Sequence, residues 1–356
     1  MRVIIAGGGT GGHLFPGIAI AEELTMRDRN NHVLFVGTAA GLEARILPKR
    51  KIPLQTIPVR GLKGKSLVHK LQSLGTVPWA VVRSLDIIKR FCPDLVIGLG
   101  AYVAGPILLA ASLRRIPRVI QEQNVIPGAT NRISSRLARR VFLSFEESRR
   151  YFAGEKVMVT GNPIRREFGL PIKTKKTEGF GLLVFGGSRG AHRINQAMVD
   201  ALDSFGDLKP HLRIIHQTGF DDAPEVAEIY QRKGFTARVE SFIEDMVTSY
   251  RESDLVVCRA GATTIAELTA CGRAAILIPY PFAADNHQEI NARTMVDRGA
   301  AQMILDRNLS GASLARMIRL FFHNSSMIRA MERVSAGLGR PDAAQRLVDE
   351  CYRIVA

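Results

Sequence analysis

The sequence predicts an α/β protein of two doubly wound, Rossmann-like domains, each a parallel sheet with helices on both faces. Three observations carry that prediction. Short apolar runs alternate with longer amphipathic ones, the alternation comes in two successive series, and each series opens with a glycine-rich loop directly after its first apolar run. Strands alternating with helical patterns imply parallel sheets covered on both faces. A chain of 356 residues is comfortable for two cores.

The first series of strand-like runs is Val3–Ala6, Val33–Val36, Leu54–Val59, Leu95–Leu99, Val119–Gln121, Val141–Ser144 and Val157–Thr160. Helical patterns such as Pro16–Met26 and Leu42–Lys49 lie between them. The second series runs Leu182–Phe185, Leu212–Gln217, Ala237–Phe242, Leu255–Cys258, Ala275–Pro279 and Gln302–Leu305. Gly161-Asn162-Pro163 and the lysine-rich Lys173–Lys176 read as a connector, which places the domains at 1–161 and 162–340. Gly337–Pro341 then punctuates before a final helix, Asp342–Ile354, whose spacing does not say which domain it joins.

Composition narrows the setting. No run of 18 apolar residues offers a membrane-spanning helix. Met1–Ala6 enters a strand at once, without a signal-peptide pattern. Cys92, Cys258, Cys271 and Cys351 are scattered and fit reduced thiols, so a cytoplasmic location is expected. The excess of 49 basic over 33 acidic residues, a formal +16, points to an anionic partner. Nucleic acid is not the expected one, because no recognised motif is present and 6% aromatic residues leave few stacking platforms.

Two loops carry the first chemical signal: Gly7-Gly8-Gly9-Thr10-Gly11-Gly12-His13 and Gly186-Gly187-Ser188-Arg189-Gly190-Ala191. Glycine lets backbone N–H groups approach a ligand, and the helix that follows presents unpaired N–H groups and a positive dipole end suited to phosphate. The bland reading, tight turns alone, is weakened by the recurrence of the loop in both series. Gly7, Gly9 and Gly12 also satisfy the dinucleotide fingerprint, but that motif needs an acid at the end of the second strand, where Val36-Gly37-Thr38-Ala39 has none. Hydride transfer is therefore set aside.

Cys258-Arg259-Ala260-Gly261-Ala262-Thr263-Thr264-Ile265-Ala266-Glu267 follows a strand and opens a helix. Its first-turn N–H groups would face a diphosphate, and Glu267, one turn on, either reaches ribose hydroxyls or merely complements the helix dipole. The loop Pro279–Ala292 lies past the next strand, where α/β sheets bind ligands. There Gln288 and Asn291 suit hydroxyl-rich sugars, since amides both donate and accept. No Asp-x-Asp occurs, so no metal is expected, and the diphosphate charge falls to helix ends, Arg165 and Ser188.

Taken in order, GGGTGGHLFPGIAIAEEL from Gly7, GLGAYVAGP from Gly98, QEQNVIPGATNR from Gln121, GNPIRREF from Gly161, GGSRGA from Gly186, CRAGATTIAEL from Cys258 and PYPFAADNHQEINA from Pro279 resemble glycosyltransferase family 28 across essentially the whole chain. The resemblance is to the members that add N-acetylglucosamine to the lipid-linked muramyl-pentapeptide of peptidoglycan. It implies a GT-B fold, two facing Rossmann-like domains with a cleft between them, the final helix returning to the first domain. It also implies inverting transfer from UDP-N-acetylglucosamine to the 4-hydroxyl of an undecaprenyl-diphosphate-linked acceptor, with no cofactor. Cell-wall assembly proteins would be further partners. By the same resemblance Ile243 meets uracil through its backbone, Glu267 holds the ribose, and Ala262, Thr263 and Thr264 line the nucleotide pocket. Arg165 and Ser188 meet the diphosphate and Gln288 the sugar, while Thr10, Gly11, Gly12 and Asn124 contribute from the first domain. His287 departs from the amide expected at its position. His13 is the candidate base for the attacking hydroxyl.

An acceptor of that kind requires contact with the cytoplasmic face of the inner membrane. Between Gly61 and Phe91, Lys63, Lys65, Lys70, Arg83, Lys89 and Arg90 interleave with Leu67, Val68, Leu71, Leu74, Trp79, Val81 and Val82. That mixture suits an anionic lipid surface, or alternatively a core-facing helix with a solvated basic side. Other transferases acting on different lipid acceptors, and a nucleotide-sugar epimerase, remain alternatives on the residues alone.

Overall fold

The structure, a computed structural model, describes residues 1–59, 67–170, 179–187 and 190–356, with the backbone alone for 67–77. The chain divides into two compact units, Met1–Arg165 with Pro341–Ala356, and Arg166–Arg340. The connecting stretch at Lys173–Lys176 lies outside the described residues.

The first unit holds strands β1 (Arg2–Ala6), β2 (His32–Gly37), β3 (Leu54–Thr56), β4 (Leu95–Gly98), β5 (Arg118–Glu122), β6 (Arg140–Leu143) and β7 (Val157–Val159). They form one parallel sheet in the order β3-β2-β1-β4-β5-β6-β7. Its helices are α1 (Gly11–Arg27), α2 (Glu43–Ile46), α3 (Leu67–Phe91), α4 (Ala101–Leu113) and α5 (Ala129–Ser134). In the second unit, β8 (Phe180–Phe185), β9 (Leu212–Gln217), β10 (Thr236–Glu240), β11 (Leu255–Cys258), β12 (Ala274–Leu277) and β13 (Gln302–Met303) are parallel in the order β10-β9-β8-β11-β12-β13. With them come α6 (His192–Ala201), α7 (Ala223–Arg232), α8 (Met246–Arg251), α9 (Ala262–Ala270), α10 (His287–Val296), α11 (Gly311–His323) and α12 (Ser325–Leu338).

Both sheets thus place the third, second, first and fourth strands side by side. The order reverses between β1 and β4 and between β8 and β11, and ligands bind at the carboxyl ends of strands at such a switch point. The central strands are buried on both faces, as Val3–Ala6, Leu95–Ile97, Leu182–Val184 and Leu255–Cys258 show. That is why they read as continuous apolar runs with no alternation.

Two expected elements differ in detail. The pattern Leu42–Lys49 becomes the single turn α2 and a 3-10 turn, Pro48–Arg50, because Pro48 has no N–H with which to continue the helix. The first helix begins at Gly11, well before Pro16, so the second half of the glycine motif is its first turn.

The terminal helix α13 (Ala343–Val355) belongs to the first unit. Leu347, Val348 and Cys351 pack with Leu14, Ile18 and Leu24 of α1 in one buried cluster. Burial of each such aliphatic side chain is worth about 1.5–3 kcal/mol. Arg140 pairs with Glu350 at 2.7 Å and Arg27 with Asp349 at 2.5 Å at the partly exposed margin, where pairs contribute less.

Candidate functional site

At the first switch point, Thr10 ends the loop in an extended conformation and caps α1; its carbonyl accepts from the N–H of His13 at 3.3 Å and of Leu14 at 3.2 Å. Gly11, Gly12 and His13 are therefore the opening turn, at the positive end of the helix dipole. The Thr10 hydroxyl lies 3.3 Å from Nδ1 of His13.

The carboxylate absent from the end of β2 arrives at the start of α2. Glu43, fully buried, accepts from the Gly9 N–H at 2.8 Å, the Thr38 N–H at 2.8 Å and the Thr38 hydroxyl at 2.9 Å. One oxygen holds the glycine loop and the other the residue after β2, which fixes that loop to the neighbouring strand.

On the β4 side the chain turns through two left-handed residues, Gly100 (φ 99°) and Ala101 (φ 58°). A left-handed conformation is uncommon for alanine and stores strain of about 1 kcal/mol or more. A side chain at Gly100 would come within 3.2 Å of His13 Nε2 and 3.1 Å of Asn131 Nδ2, so those two groups close over the same glycine.

Asn131 leads to a residue that the sequence reading did not single out. Its amide donates at 2.8 Å to Glu122, the last residue of β5, and Glu122 also accepts from the N–H of Asn124 at 2.9 Å and of Gly128 at 3.3 Å. Burial pushes this carboxyl up to about 7, against the downward pull of those bonds. The Asn124 carbonyl is held by the Ser148 hydroxyl at 3.0 Å, so its backbone is fixed from both sides. Arg165, half-buried, is the last residue of the first unit.

In the second unit the glycine loop after β8 turns at Gly190 (φ 74°), where any side chain would run into the carbonyl of Thr218. Ser188 lies outside the described residues. Helix α9 starts at Ala262 behind Gly261, which offers no side-chain cap, and Ala262, Thr263 and Thr264 make its first turn. One turn on, Glu267 receives a hydrogen bond at 3.3 Å from the hydroxyl of Tyr250. Tyr250 is fully buried against Phe168 and Phe185, and burial followed by the charge of Glu267 keeps its phenol protonated. The backbone N–H of Ile243 donates to Gln217 Oε1 at 2.8 Å.

The loop after β12 is held from below. Arg259, nearly buried, donates to the carbonyls of Ile278 at 3.2 Å and Pro279 at 3.1 Å and pairs with Asp306 at 2.6 Å. Gln288 Oε1 accepts from the Tyr280 N–H at 3.0 Å, which leaves the amide NH2 as the group it can offer a ligand. Asn291 is fully buried and donates to the Ala260 carbonyl at 3.4 Å, which braces the turn into α9. His287 is tied through Nδ1 to the Ala284 carbonyl at 2.7 Å.

A separate surface feature belongs to the first unit. Trp79 (67% exposed) and Val82 on α3, Leu109 and Leu113 on α4 and Ile133 (69% exposed) on α5 are apolar side chains open to solvent, and α4 packs against both other helices. Arg114, Arg115, Arg132 and Arg136 lie within or beside these helices. The segment's Lys63 and Lys65 lie outside the described residues, and so do the side chains of Leu67, Val68, Lys70, Leu71 and Leu74. Among the described residues no helix is long and apolar enough to cross a membrane.

Two Rossmann-like units, each opening with a glycine-rich loop at its switch point, form the GT-B fold, a fold that glycosyltransferases use. The chain belongs to glycosyltransferase family 28: the N-terminal domain model matches residues 3–143 and the C-terminal domain model residues 181–347. It is 50% identical over 357 residues to a Myxococcus xanthus protein, covering 100% of this chain and 93% of that one. That relative is named UDP-N-acetylglucosamine--N-acetylmuramyl-(pentapeptide) pyrophosphoryl-undecaprenol N-acetylglucosamine transferase. A Geobacter sulfurreducens protein of the same name is 48% identical, with 98% of each chain covered. Among solved structures, Acinetobacter baumannii MurG superposes with a TM-score of 0.79 at 31% identity over 99% of both chains. The UDP-GlcNAc 2-epimerase of Neisseria meningitidis, at 14% identity and a TM-score of 0.69, shares the fold alone.

Proposed function

We propose that this chain transfers N-acetylglucosamine from UDP-N-acetylglucosamine to the 4-hydroxyl of the muramyl-pentapeptide carried on undecaprenyl diphosphate, with inversion at the anomeric carbon. The observation that carries this reading is the identity of about half of all positions, end to end, with relatives bearing that name.

In this reading the second unit, with Arg165 just before it in the chain, holds the donor. Ile243 contacts uracil through its backbone, and Glu267, fixed by Tyr250, takes the ribose. The opening turn of α9, the loop at Gly186–Ala191 and Arg165 stabilise the diphosphate as its bond to the sugar breaks, the role a metal plays in other transferases. Gln288 donates its NH2 to a sugar hydroxyl. From the first unit, Thr10, Gly11, Gly12 and Asn124 meet donor and acceptor, and His13 accepts the proton of the attacking hydroxyl. Glu122 holds Asn124 in place.

The apolar side chains of α3, α4 and α5, with arginines around them, support docking on the anionic cytoplasmic face of the membrane, where the lipid acceptor resides.

Incubation of the protein with labelled UDP-N-acetylglucosamine and a short-chain analogue of the lipid acceptor tests the reaction. Disaccharide product that requires both substrates is expected. Its absence, with a control enzyme active on the same acceptor, would overturn the assignment.

A further inference from the structure

Strand β9 lies between β8 and β10 in the second sheet, and its last residue, Gln217, is buried. Its amide is used in both senses. Nε2 donates to the carbonyl of Gly187 in the loop after β8 at 2.8 Å, and Oε1 accepts from the N–H of Ile243, beyond β10, at 2.8 Å. One planar group therefore joins the loop that meets the diphosphate to the segment that meets the base.

The support under that bridge is rigid. Thr218, next in the chain, donates its N–H to the Glu240 carbonyl at 3.0 Å, and its own carbonyl accepts from Asn195 at 2.8 Å. Asn195 also donates to Asp222 at 2.6 Å and lies 3.1 Å from Nε2 of His216, whose Nδ1 lies 3.0 Å from the Tyr230 hydroxyl. His216 and Tyr230 are fully enclosed, and burial pushes the imidazole down to about 3, so it stays neutral. The amide's partners also have fixed roles, a carbonyl on one side and an N–H on the other, which only an amide of this length satisfies together.

We propose that Gln217 is a positioning residue for the donor, setting the distance between the base-contacting backbone at Ile243 and the diphosphate loop so that both halves of UDP bind as one. The proposal rests on the donor reading above. Two contacts held at the right separation reinforce each other through effective concentration, while each alone is unaffected by the spacing.

The test measures UDP and uridine affinities of wild type and Gln217→Met, with KM values for UDP-N-acetylglucosamine and the lipid acceptor. A fall of about tenfold in UDP affinity is expected, the scale of losing one well-placed hydrogen-bonded link. Uridine affinity and the acceptor KM should stay within about twofold, as for contacts that do not span the bridge. Unchanged UDP affinity in the variant would overturn the proposal. Equal losses for UDP and uridine with a lowered melting temperature would do so too, reducing Gln217 to a part of the core. If the Met variant does not fold, Gln217→Glu, which keeps the Ile243 bond and loses the donor to Gly187, should show the same selective loss of UDP. Wild type that fails to bind UDP would overturn the donor reading itself, an outcome visible before any variant is compared.

Discussion

The hydroxyl of Tyr250 reaches Oε2 of Glu267 at 3.3 Å from within the core, joining the short helix α8 to the face of α9 that carries the ribose-binding candidate. Glu267 is thereby oriented before any ligand arrives. Tyr250→Phe keeps the ring packing on Phe168 and Phe185 and deletes only this bond. One hydrogen bond to a charged group contributes about 1.5–3 kcal/mol, and a long one less, so the KM for UDP-N-acetylglucosamine should rise about three- to tenfold with kcat nearly unchanged. An unaltered KM would show that Glu267 is held by other contacts.

Glu122 sets a pH dependence. Its carboxyl is lifted by burial from an ordinary value of 4.5 to about 7, so the folded chain holds this proton more tightly than the unfolded chain does. The stability it contributes is complete below the unfolded value and is lost as pH rises through about 7. Urea unfolding of wild type and Glu122→Gln between pH 4.5 and 8 should show wild type losing roughly 3 kcal/mol relative to the variant over that interval. A difference that stays constant with pH would mean that Glu122 titrates as in an open chain.

Glu43 predicts a loss of function without direct contact to substrate. Replacement by Ala strands the Gly9 N–H, the Thr38 N–H and the Thr38 hydroxyl, all now within 2.9 Å of its oxygens. Unmet donors cost up to about 1–3 kcal/mol each when buried and less at these part-buried positions, so the midpoint of urea unfolding should fall. Turnover at a temperature where the variant remains folded should drop about tenfold or more through disorder of the loop before α1. Full turnover in the folded variant would show that the loop is fixed by other means.

The exposed apolar side chains of α4 and α5 give a prediction on lipid binding. Leu113→Glu combined with Ile133→Glu adds two negative charges to an open apolar surface and leaves the core intact. Partitioning onto vesicles containing anionic lipid should fall at least tenfold, since each arginine near such a surface adds about 1 kcal/mol and the new charges oppose that attraction. Donor hydrolysis or UDP binding in solution should be unchanged. Equal partitioning of variant and wild type would place the membrane contact on another face.

By itself the sequence determined the class of fold, the strands of both sheets to within a few residues, the two glycine loops and the family. Apolar runs, glycine turns and helix starts are local signals, written in consecutive residues. Residue spacing left open where α13 packs, and only the family resemblance pointed to the first domain, because a helix with one apolar face fits either domain until Leu347 and Val348 meet Leu14 and Ile18. The supporting carboxylates and amides were equally silent. Glu43 stands 34 residues from Gly9, Tyr250 17 from Glu267, and Gln217 26 from Ile243, separations that carry no periodic signature. Composition likewise gives a side chain's chemistry and not its direction, as the buried amide of Asn291 illustrates. Only the order of strands in the sheet, which brings loops distant in the chain to one end, decided which polar groups gather at the switch points and which hold the others in place.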